Sequence, residues 1–335
     1  MTANLPESAV PLVVIPCLNE IDHIEALVRQ MAKQTEAFGG SVVVADGGSE
    51  DGSIAAVAEL SRELTGVHLI DNPRQIQSAG INTAVAAFGA GHSHLIRVDA
   101  HSSYPDDFIL RLLEEAERTD AASVVVGMVA EGRTAFEKVS ALAQNSRVGN
   151  GGSKHRNAAS GEFVDHGHHA LMRLDAFNEV HGYDPTFTHN EDAELDHRLR
   201  AAGHEIWLTG QTEIVYYPRS TAAGLARQYF NYGRGRARNV YKHGTVPKLR
   251  QLIMASVLPV VLLALLAPIS GWFAVPALAW AFASIAAGFS QAVAARDLLT
   301  VATGPLSMLM HLSWSAGFWR GLMGARPVPT PEVSA

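Results

Sequence analysis

Residues 11–53 read PLVVIPCLNEIDHIEALVRQMAKQTEAFGGSVVVADGGSEDGS, and this stretch decides the fold. Two short apolar runs rich in Val, 11–16 and 41–46, flank a longer helical pattern over 21–38. Short β-rich runs on either side of a helix-length segment mark two parallel strands joined by a crossover helix. Working outward, the alternation continues with strand-like runs at 67–70, 94–98 and 123–127 and helical patterns at 52–64, 76–88 and 106–118. Several of these helices open on a capping Asp or Ser and close on Gly. Up to about residue 210 the pattern predicts an α/β, Rossmann-like domain, a parallel sheet covered by helices. Ligands of such sheets sit at the carboxyl ends of the strands, which directs attention to Asn19, Asp46 and Asp99.

A chain of 335 residues exceeds one ordinary domain, so a domain of roughly 220 residues with an appendage is the first expectation. The composition, 47% hydrophobic and 18% charged with a net charge of −7, is that of a globular protein, but the charge is unevenly spread. No Asp or Glu occurs from 214 to 295, while Arg219, Arg227, Arg234, Arg236, Arg238, Lys242, Lys248 and Arg250 crowd the first half of that interval. One-sided charge of this kind points to an anionic surface or ligand beside the segment, and not to nucleic acid bound by the whole protein. The single Cys17 excludes an intramolecular disulfide and a CxxC metal site, so a reducing, cytoplasmic setting is the default. The first eleven residues contain Glu7 and no basic region followed by an apolar run, so no cleaved signal peptide is expected.

Beyond Arg250 the character changes. Residues 251–295 carry no charge and suffice for two membrane spans of about 20 residues each, with a break at Pro268, Ser270 and Gly271. A third apolar stretch, 298–323, contains His311, Ser313 and Trp319 and reads as a further span or an interfacial helix. The positive-inside tendency puts the basic cluster at 219–250 in the cytoplasm, beneath an inner, cytoplasmic membrane. A helix hairpin plus an interfacial helix is the expected arrangement, with a buried helical subdomain as its alternative. The expected division is 1–225 for the α/β domain, 226–250 for a basic amphipathic juxtamembrane segment and 251–325 for the membrane helices. The apolar C-terminal region would contact membrane lipid or pair two copies as a homodimer, and the pattern does not separate the two.

Chemistry-bearing residues gather after the strands. The first ends in IPCLNE, where Pro16, Asn19 and Glu20 are placed to contact a nucleoside or to cap the next helix. The second ends in DGGSEDGS, a glycine turn around Asp46, Gly48 and Ser49 that allows close backbone approach to a ligand but lacks the GxGxxG spacing. After the third, Arg74 and Gln75 offer a cation and an amide to a diphosphate. After the fourth comes Asp99-Ala100-His101. A carboxylate leaving a strand end can hold Mg²⁺ or Mn²⁺ against two phosphates, and an imidazole at His101 favours Mn²⁺; the bland reading is a helix cap ahead of Pro105.

Further on, His189-Asn190-Glu191-Asp192 opens a helical run at 193–202. The helix dipole favours the anion there while the neighbouring acid raises proton affinity, which makes Asp192 the candidate general base. The competing reading is a capped helix with salt bridges among Glu194, Asp196, Arg198 and Arg200. In Asp165-His166-Gly167-His168-His169, a strand would set His166 and His168 on one face and His169 on the other. His168 and Glu191 are candidate acceptor contacts. Arg234 and Arg236, beside Tyr229 and Tyr232 ahead of the first apolar run, stand where a lipid-linked diphosphate would meet the protein or where the chain anchors to a membrane surface. Residues 149–161, GNGGSKHRNAASG, read as a functional loop or a linker.

The set P-C-L-N-E, D-G-G-S-x-D-G-S, D-A-H and N-E-D, in this order, resembles an inverting family 2 glycosyltransferase, over about residues 11–241. Residues 97–101, 182–200 and 228–238 are closest to the succinoglycan-type β-glucosyltransferases. The resemblance implies a GT-A fold, a UDP-sugar donor, Asp46 near the uracil, Arg74 near the diphosphate, Asp99 on a divalent metal and Asp192 as base. It further implies a polyprenyl diphosphate-linked sugar as acceptor, extended on the cytoplasmic face during exopolysaccharide assembly. His101 departs from the family's D-x-D pattern, so the third metal ligand stays open. The alternatives are a polyprenyl phosphate monosaccharide transferase, a catalytically silent membrane scaffold and a nucleotidyltransferase. The last normally carries a glycine-rich basic loop after the first strand, which 17–24 does not contain.

Overall fold

The computed structural model describes residues 9–146, 148–149 and 161–324. The expected loop at 149–161 thus falls almost wholly outside the described residues. Two units result, one of the described residues of 9–129 and 161–216, the other of those of 130–149 and 217–324. The first begins β1 (Pro11–Cys17), α1 (Ile21–Glu36), β2 (Ser41–Asp46), α2 (Ser53–Glu63), β3 (Val67–Asp71), α3 (Gln77–Phe88), β4 (His94–Arg97), β5 (Ser102–Ser103), α4 (Phe108–Thr119) and β6 (Ser123–Ala130). The chain then places α5 (Ala135–Asn145) in the second unit and returns with β7 (Glu162–Phe163), β8 (His168–Arg173), α6 (Leu174–Glu179), α7 (Glu191–Ala201) and β9 (Ile206–Tyr216).

The strands form one sheet in the order β3-β2-β1-β4-β8-β6-β9-β5, with β7 paired to β9. The half built from β3, β2, β1 and β4 is parallel, as residues 11–53 predict. The other half departs from the expected all-parallel sheet, because β8 inserts between β4 and β6 and runs antiparallel to both. The apolar run of β6 could not reveal this, since a strand buried on both faces reads the same whichever way its neighbour runs. Along β1 the period of two divides the core. Val13 and Ile15 join Ile24, Val28 and Met31 of α1, while Leu12 and Val14 join Ile81 of α3, Phe177 of α6 and Leu199 of α7. Helices on both faces leave the strand ends as the place where loops gather.

The second unit contains α5, α8 (Ala222–His243), α9 (Leu249–Leu263), α10 (Val275–Ala295) and α11 (Thr303–Met323). Its boundary falls at Tyr217 rather than at the expected 225 and 250, because α8 runs through both the end of the expected α/β domain and most of the juxtamembrane segment. Residues Leu249–Leu266 and Gly271–Ala295 are long and apolar enough to cross a membrane. The third apolar run, α11, packs against α5, α8, α9 and α10, burying Met310, Ser315 and Phe318. Pro259 inside α9 removes the N–H that would bond the Ala255 carbonyl one turn back. Ser315 Oγ (2.7 Å) and Trp319 Nε1 (2.8 Å) of α11 donate to that carbonyl instead. The crossing of α8 and α11 needs two glycines. A Cβ on Gly233 would stand 1.9 Å from the Trp314 carbonyl oxygen, and one on Gly317 1.9 Å from that of Phe230. Gly233→Ala is therefore expected to destabilise the helical unit by about 1–3 kcal/mol, read as a lower unfolding midpoint of the full chain in detergent. An unchanged midpoint would contradict this close crossing.

Candidate active site

The turns that follow β1 and β2 are tied together by their own polar atoms. Gly48 N (2.8 Å) and Ser49 N (2.7 Å) donate to Asp46 Oδ1, and Ser49 Oγ donates to Oδ2 at 2.7 Å. Asn19 sits in the left-handed region at φ 56°, its N–H donating to Ser49 Oγ at 2.8 Å while its Oδ1 accepts from Glu50 N at 2.9 Å. Asp46, Ser49 and Asn19 thus brace one another, and this bracing holds the rim of a cleft. Pro16, Cys17, Leu18, Glu20, Gly47, Asn72, Gln75, Gln77, Asp99, Ala100 and His101 line that cleft, which is open to solvent and holds about 180 Å³. Burial and the adjoining Asp46 carboxylate push the Cys17 thiol up to about 12, so it stays neutral. Arg74 is exposed outside this lining, its Nη2 3.5 Å from the Pro185 carbonyl.

Behind the cleft lies a buried guanidinium that the motifs alone do not single out. Arg97, the last residue of β4, has a side chain only 4% exposed. Its Nε donates to Asp99 Oδ1 at 3.2 Å, its Nη2 lies 3.5 Å from Glu191 Oε1, and its Nη1 donates to Asp192 Oδ1. Gln77 Nε2 also donates to Asp99 Oδ1, at 2.5 Å, and Tyr104 OH accepts from the Asp99 N–H at 2.6 Å. One cation thereby gathers the carboxylate expected to hold metal, the expected base and its neighbour.

On the far side of Asp192 stands β8. His168 faces the two carboxylates, Nε2 3.6 Å from Asp99 Oδ2 and Nδ1 3.8 Å from Asp192 Oδ2. His169 points the other way, with Nδ1 2.7 Å from Tyr183 OH and 3.4 Å from Asp192 Oδ1, and Nε2 2.7 Å from Asp196 Oδ1. His166 Nδ1 lies 3.0 Å from Asp196 Oδ2. The expected pairing of His166 with His168 is therefore corrected: His166 shares a partner with His169. The period of two does not reach His166, because β8 begins only at His168 and Gly167 enters it so close to β6 that a Cβ would stand 2.3 Å from Val125 Cγ2. The competing salt-bridge reading of α7 holds for Glu194 with Arg198 (2.6 Å), whereas Asp196 binds histidines and Arg200 reaches Asp165 at 3.4 Å. Arg234 and Arg236 lie on α8 in the second unit.

Electrostatics separate the two adjacent acids. For Asp192 burial opposes ionisation, but Arg97, His169 and His168 outweigh it and hold the carboxyl well below the usual range. The upward push expected on Asp192 falls on Glu191, which burial and the Asp192 charge raise to about 7. Asp99 is also lowered, since Arg97, His168 and His101 overcome its burial. Burial alone would discharge His169, yet Asp196 and Asp192 raise it and favour the imidazolium. A raised Glu191 has a sign in stability. It contributes fully below its ordinary 4.5 and loses that contribution as pH rises through about 7. Glu191→Gln is therefore expected to unfold with the wild type near pH 4.5 and above it beyond pH 7, by on the order of 2 kcal/mol, in thermal melts across pH. A gap that does not change with pH would contradict the assignment.

The cleft also carries donors for a cation. Asp99 Oδ1 is occupied by Gln77 and Arg97, while Oδ2 has His168 Nε2 only at 3.6 Å, beyond a hydrogen bond. His101, two residues on, brings Nδ1 within 3.3 Å of Glu20 Oε1. Among the described residues no three His, Cys, Asp or Glu side chains form a ready ligand set. A carboxylate oxygen beside an imidazole fits a divalent ion whose other positions are filled by a substrate's oxygens and water, and suits Mn²⁺ better than Mg²⁺.

Comparison with known proteins adds independent findings. Residues 12–180 match the family described as "Glycosyl transferase family 2". The chain is 49% identical over 326 residues, 97% of its own length and 99% of the relative's, to the "Succinoglycan biosynthesis protein ExoA" of Rhizobium meliloti (strain 1021). Among solved structures it resembles the mannosyltransferase PcManGT from Pyrobaculum calidifontis, solved with GDP-Man and Mn²⁺, at a TM-score of 0.58 and 16% identity, covering 92% of this chain and 87% of that one. That likeness supports the GT-A fold.

Proposed function

The chain belongs to glycosyltransferase family 2, and on that premise we propose that it moves a hexose, glucose in our reading, from a UDP-sugar to a polyprenyl diphosphate-linked sugar during exopolysaccharide assembly. The observation that carries the reading is the meeting of Asp99 and Asp192 on Arg97, with Asp99 lining an open cleft at the carboxyl ends of the strands. The relative named for succinoglycan biosynthesis supports the pathway, and the two helices long and apolar enough to cross a membrane support a lipid-linked acceptor at the cytoplasmic membrane. A protein of this fold solved with GDP-Man and Mn²⁺ is in keeping with a nucleotide-sugar donor and a metal.

The mechanism is a single displacement. Pro16, Asn19, Glu20, Asp46, Gly48, Ser49, Arg74 and Gln75 form or border the donor's seat, and His168 and Glu191 of the same unit are the acceptor contacts. Asp192 accepts the proton of the acceptor hydroxyl, whose oxygen bonds to the anomeric carbon as the bond to the diphosphate oxygen breaks, inverting that carbon. Asp99 with His101 would hold a divalent cation that neutralises the charge of the departing diphosphate. Arg97 keeps Asp192 ionised and ready to accept.

The test supplies the full chain in detergent with labelled UDP- and GDP-sugars, Mn²⁺ and either lipid phosphate or lipid diphosphate-sugar. Transfer from a UDP-hexose to the diphosphate-linked sugar is expected. Transfer to lipid phosphate alone would replace the acceptor assignment, and no nucleotide release with any lipid would overturn the enzymatic reading.

A further inference from the structure

The two oxygens of Asp192 are not equivalent. Oδ1 is surrounded by Arg97 Nη1, Tyr183 OH at 3.2 Å and His169 Nδ1 at 3.4 Å, whereas Oδ2, among the described residues, faces His168 Nδ1 at 3.8 Å. A carboxylate left to itself has a broad, nearly two-fold torsion and presents either oxygen. Something must choose between them, and a chain of buried groups leads away from Oδ1. His169 is fully buried, with one ring nitrogen 2.7 Å from Tyr183 OH and the other 2.7 Å from Asp196 Oδ1. Asp196 is equally buried, and its second oxygen takes His166 Nδ1 at 3.0 Å and the Gly167 N–H at 3.3 Å.

We propose that His169, held by Asp196, is a positioning residue that fixes Asp192 through Tyr183, so that Oδ2 and not Oδ1 receives the proton of the acceptor hydroxyl. The inference rests on the reading of Asp192 as the base. An imidazolium at His169 donates from Nε2 to Asp196 and from Nδ1 to Tyr183 OH, which in turn donates to Asp192 Oδ1. The direction of every bond is then set by the Asp196 charge, two links away. Removing that charge takes away the largest influence that raises His169, and the donor facing Tyr183 or the donor facing position 196 is weakened. The groups facing His169 are Asp192, Tyr183, Asp196 and, by charge, Arg97. A purely structural His–Asp pair packed under β8 would act on stability and on donor binding, with no selective effect on turnover.

His169→Gln, Asp196→Asn and Tyr183→Phe in the full chain in detergent separate the two. Each is expected to lower kcat by about 10–100-fold, the cost of losing an orienting partner behind a functional side chain, with donor KM and UDP Kd within about twofold of wild type. Combining His169→Gln with Asp196→Asn should lower kcat no further than the worse single change, since the two act as one unit. Should either β8 or α7 variant fail to bind UDP, Tyr183→Phe decides, because it removes one hydroxyl and keeps the ring. Wild-type kcat in Tyr183→Phe, or losses matched by equal rises in KM and Kd, would overturn the proposal. Asp192→Asn in the same assay keeps the two levels apart. An active Asp192→Asn sinks the base assignment itself, while an inactive one beside a fully active His169→Gln sinks only the positioning role.

Discussion

Asp192→Asn is expected to lower kcat by about 10²–10⁴-fold, the usual contribution of a general base, while UDP binding stays near the wild-type value. The amide is nearly the same size and keeps a carbonyl oxygen for Arg97 and Tyr183, which both donate to Oδ1. It loses the negative charge beside Arg97 and His169 and, with it, the capacity to take a proton at Oδ2. Asp192 is not among the residues that line the cleft, so the contacts expected of the donor there stay in place. The structure also constrains the pH profile. Because Arg97, His169 and His168 hold Asp192 well below the ordinary carboxylate range, the proposed base stays ionised throughout the neutral region, and an acid limb near pH 7 would belong to Glu191, raised to about 7. Full activity in Asp192→Asn, or loss of UDP binding with activity retained, would overturn the assignment; both quantities come from one steady-state assay and one calorimetric titration.

Arg97→Met is expected to destabilise the folded chain by about 3–5 kcal/mol at neutral pH, the cost of stripping the partner from a buried charge. Three carboxylates depend on that guanidinium, with side-chain exposures of 13% for Asp99, 12% for Glu191 and 13% for Asp192. Methionine fills much of the volume, so the loss is electrostatic rather than a cavity. The sign with pH follows from the depressed values of Asp99 and Asp192. A lowered carboxyl contributes stability above its ordinary value of 3.8 and gives it up as pH falls through the folded-state value. The gap between wild type and Arg97→Met should therefore be widest near pH 7 and close towards pH 3, in denaturant titrations at a series of pH values. A gap independent of pH would mean that packing, and not charge, is what Arg97 supplies.

The parallel half of the sheet was legible because its strands are short Val- and Ile-rich runs separated by helices of ordinary length, and β1 through β4 lie within a residue or two of the expected positions. β8 and β9 were not, for a physical reason. β8 opens on two polar residues, His168 and His169, before its short apolar run, and in β9 the run IWLTGQTEIVY interrupts its apolar pattern with Thr, Gly and Gln. The boundary near residue 130 was hidden as well, since α5 joins the helical unit through contacts such as Ala143 with Leu225 and Met310, and no local signal announces a tertiary contact.

Of the candidate site, the sequence points to polar residues that leave the strand ends, where loops of an open sheet gather. Pro16, Glu20, Gln75, Asp99 and His101 come to one cleft wall. The supporting residues were missed. Arg97 carried one signal, a charge within an otherwise apolar strand that must be compensated when buried. Asp196 carried another, lying four residues after Asp192 on one face of α7. His169 stood out only as one of a run of histidines, and Tyr183 carried no signal, because their contacts arise only when β8 meets the loop ahead of α7.

The central claim, that the cleft beside Asp99 seats the nucleotide donor, is tested most directly by determining the structure of the full chain with UDP and Mn²⁺. The account predicts the diphosphate beside Gln75 and Asp99, with Mn²⁺ on Asp99 Oδ2 and His101, and Asp192 Oδ2 open on the acceptor side. A nucleotide bound elsewhere, or a cation that leaves Asp99 still shared only between Arg97 and Gln77, would contradict it.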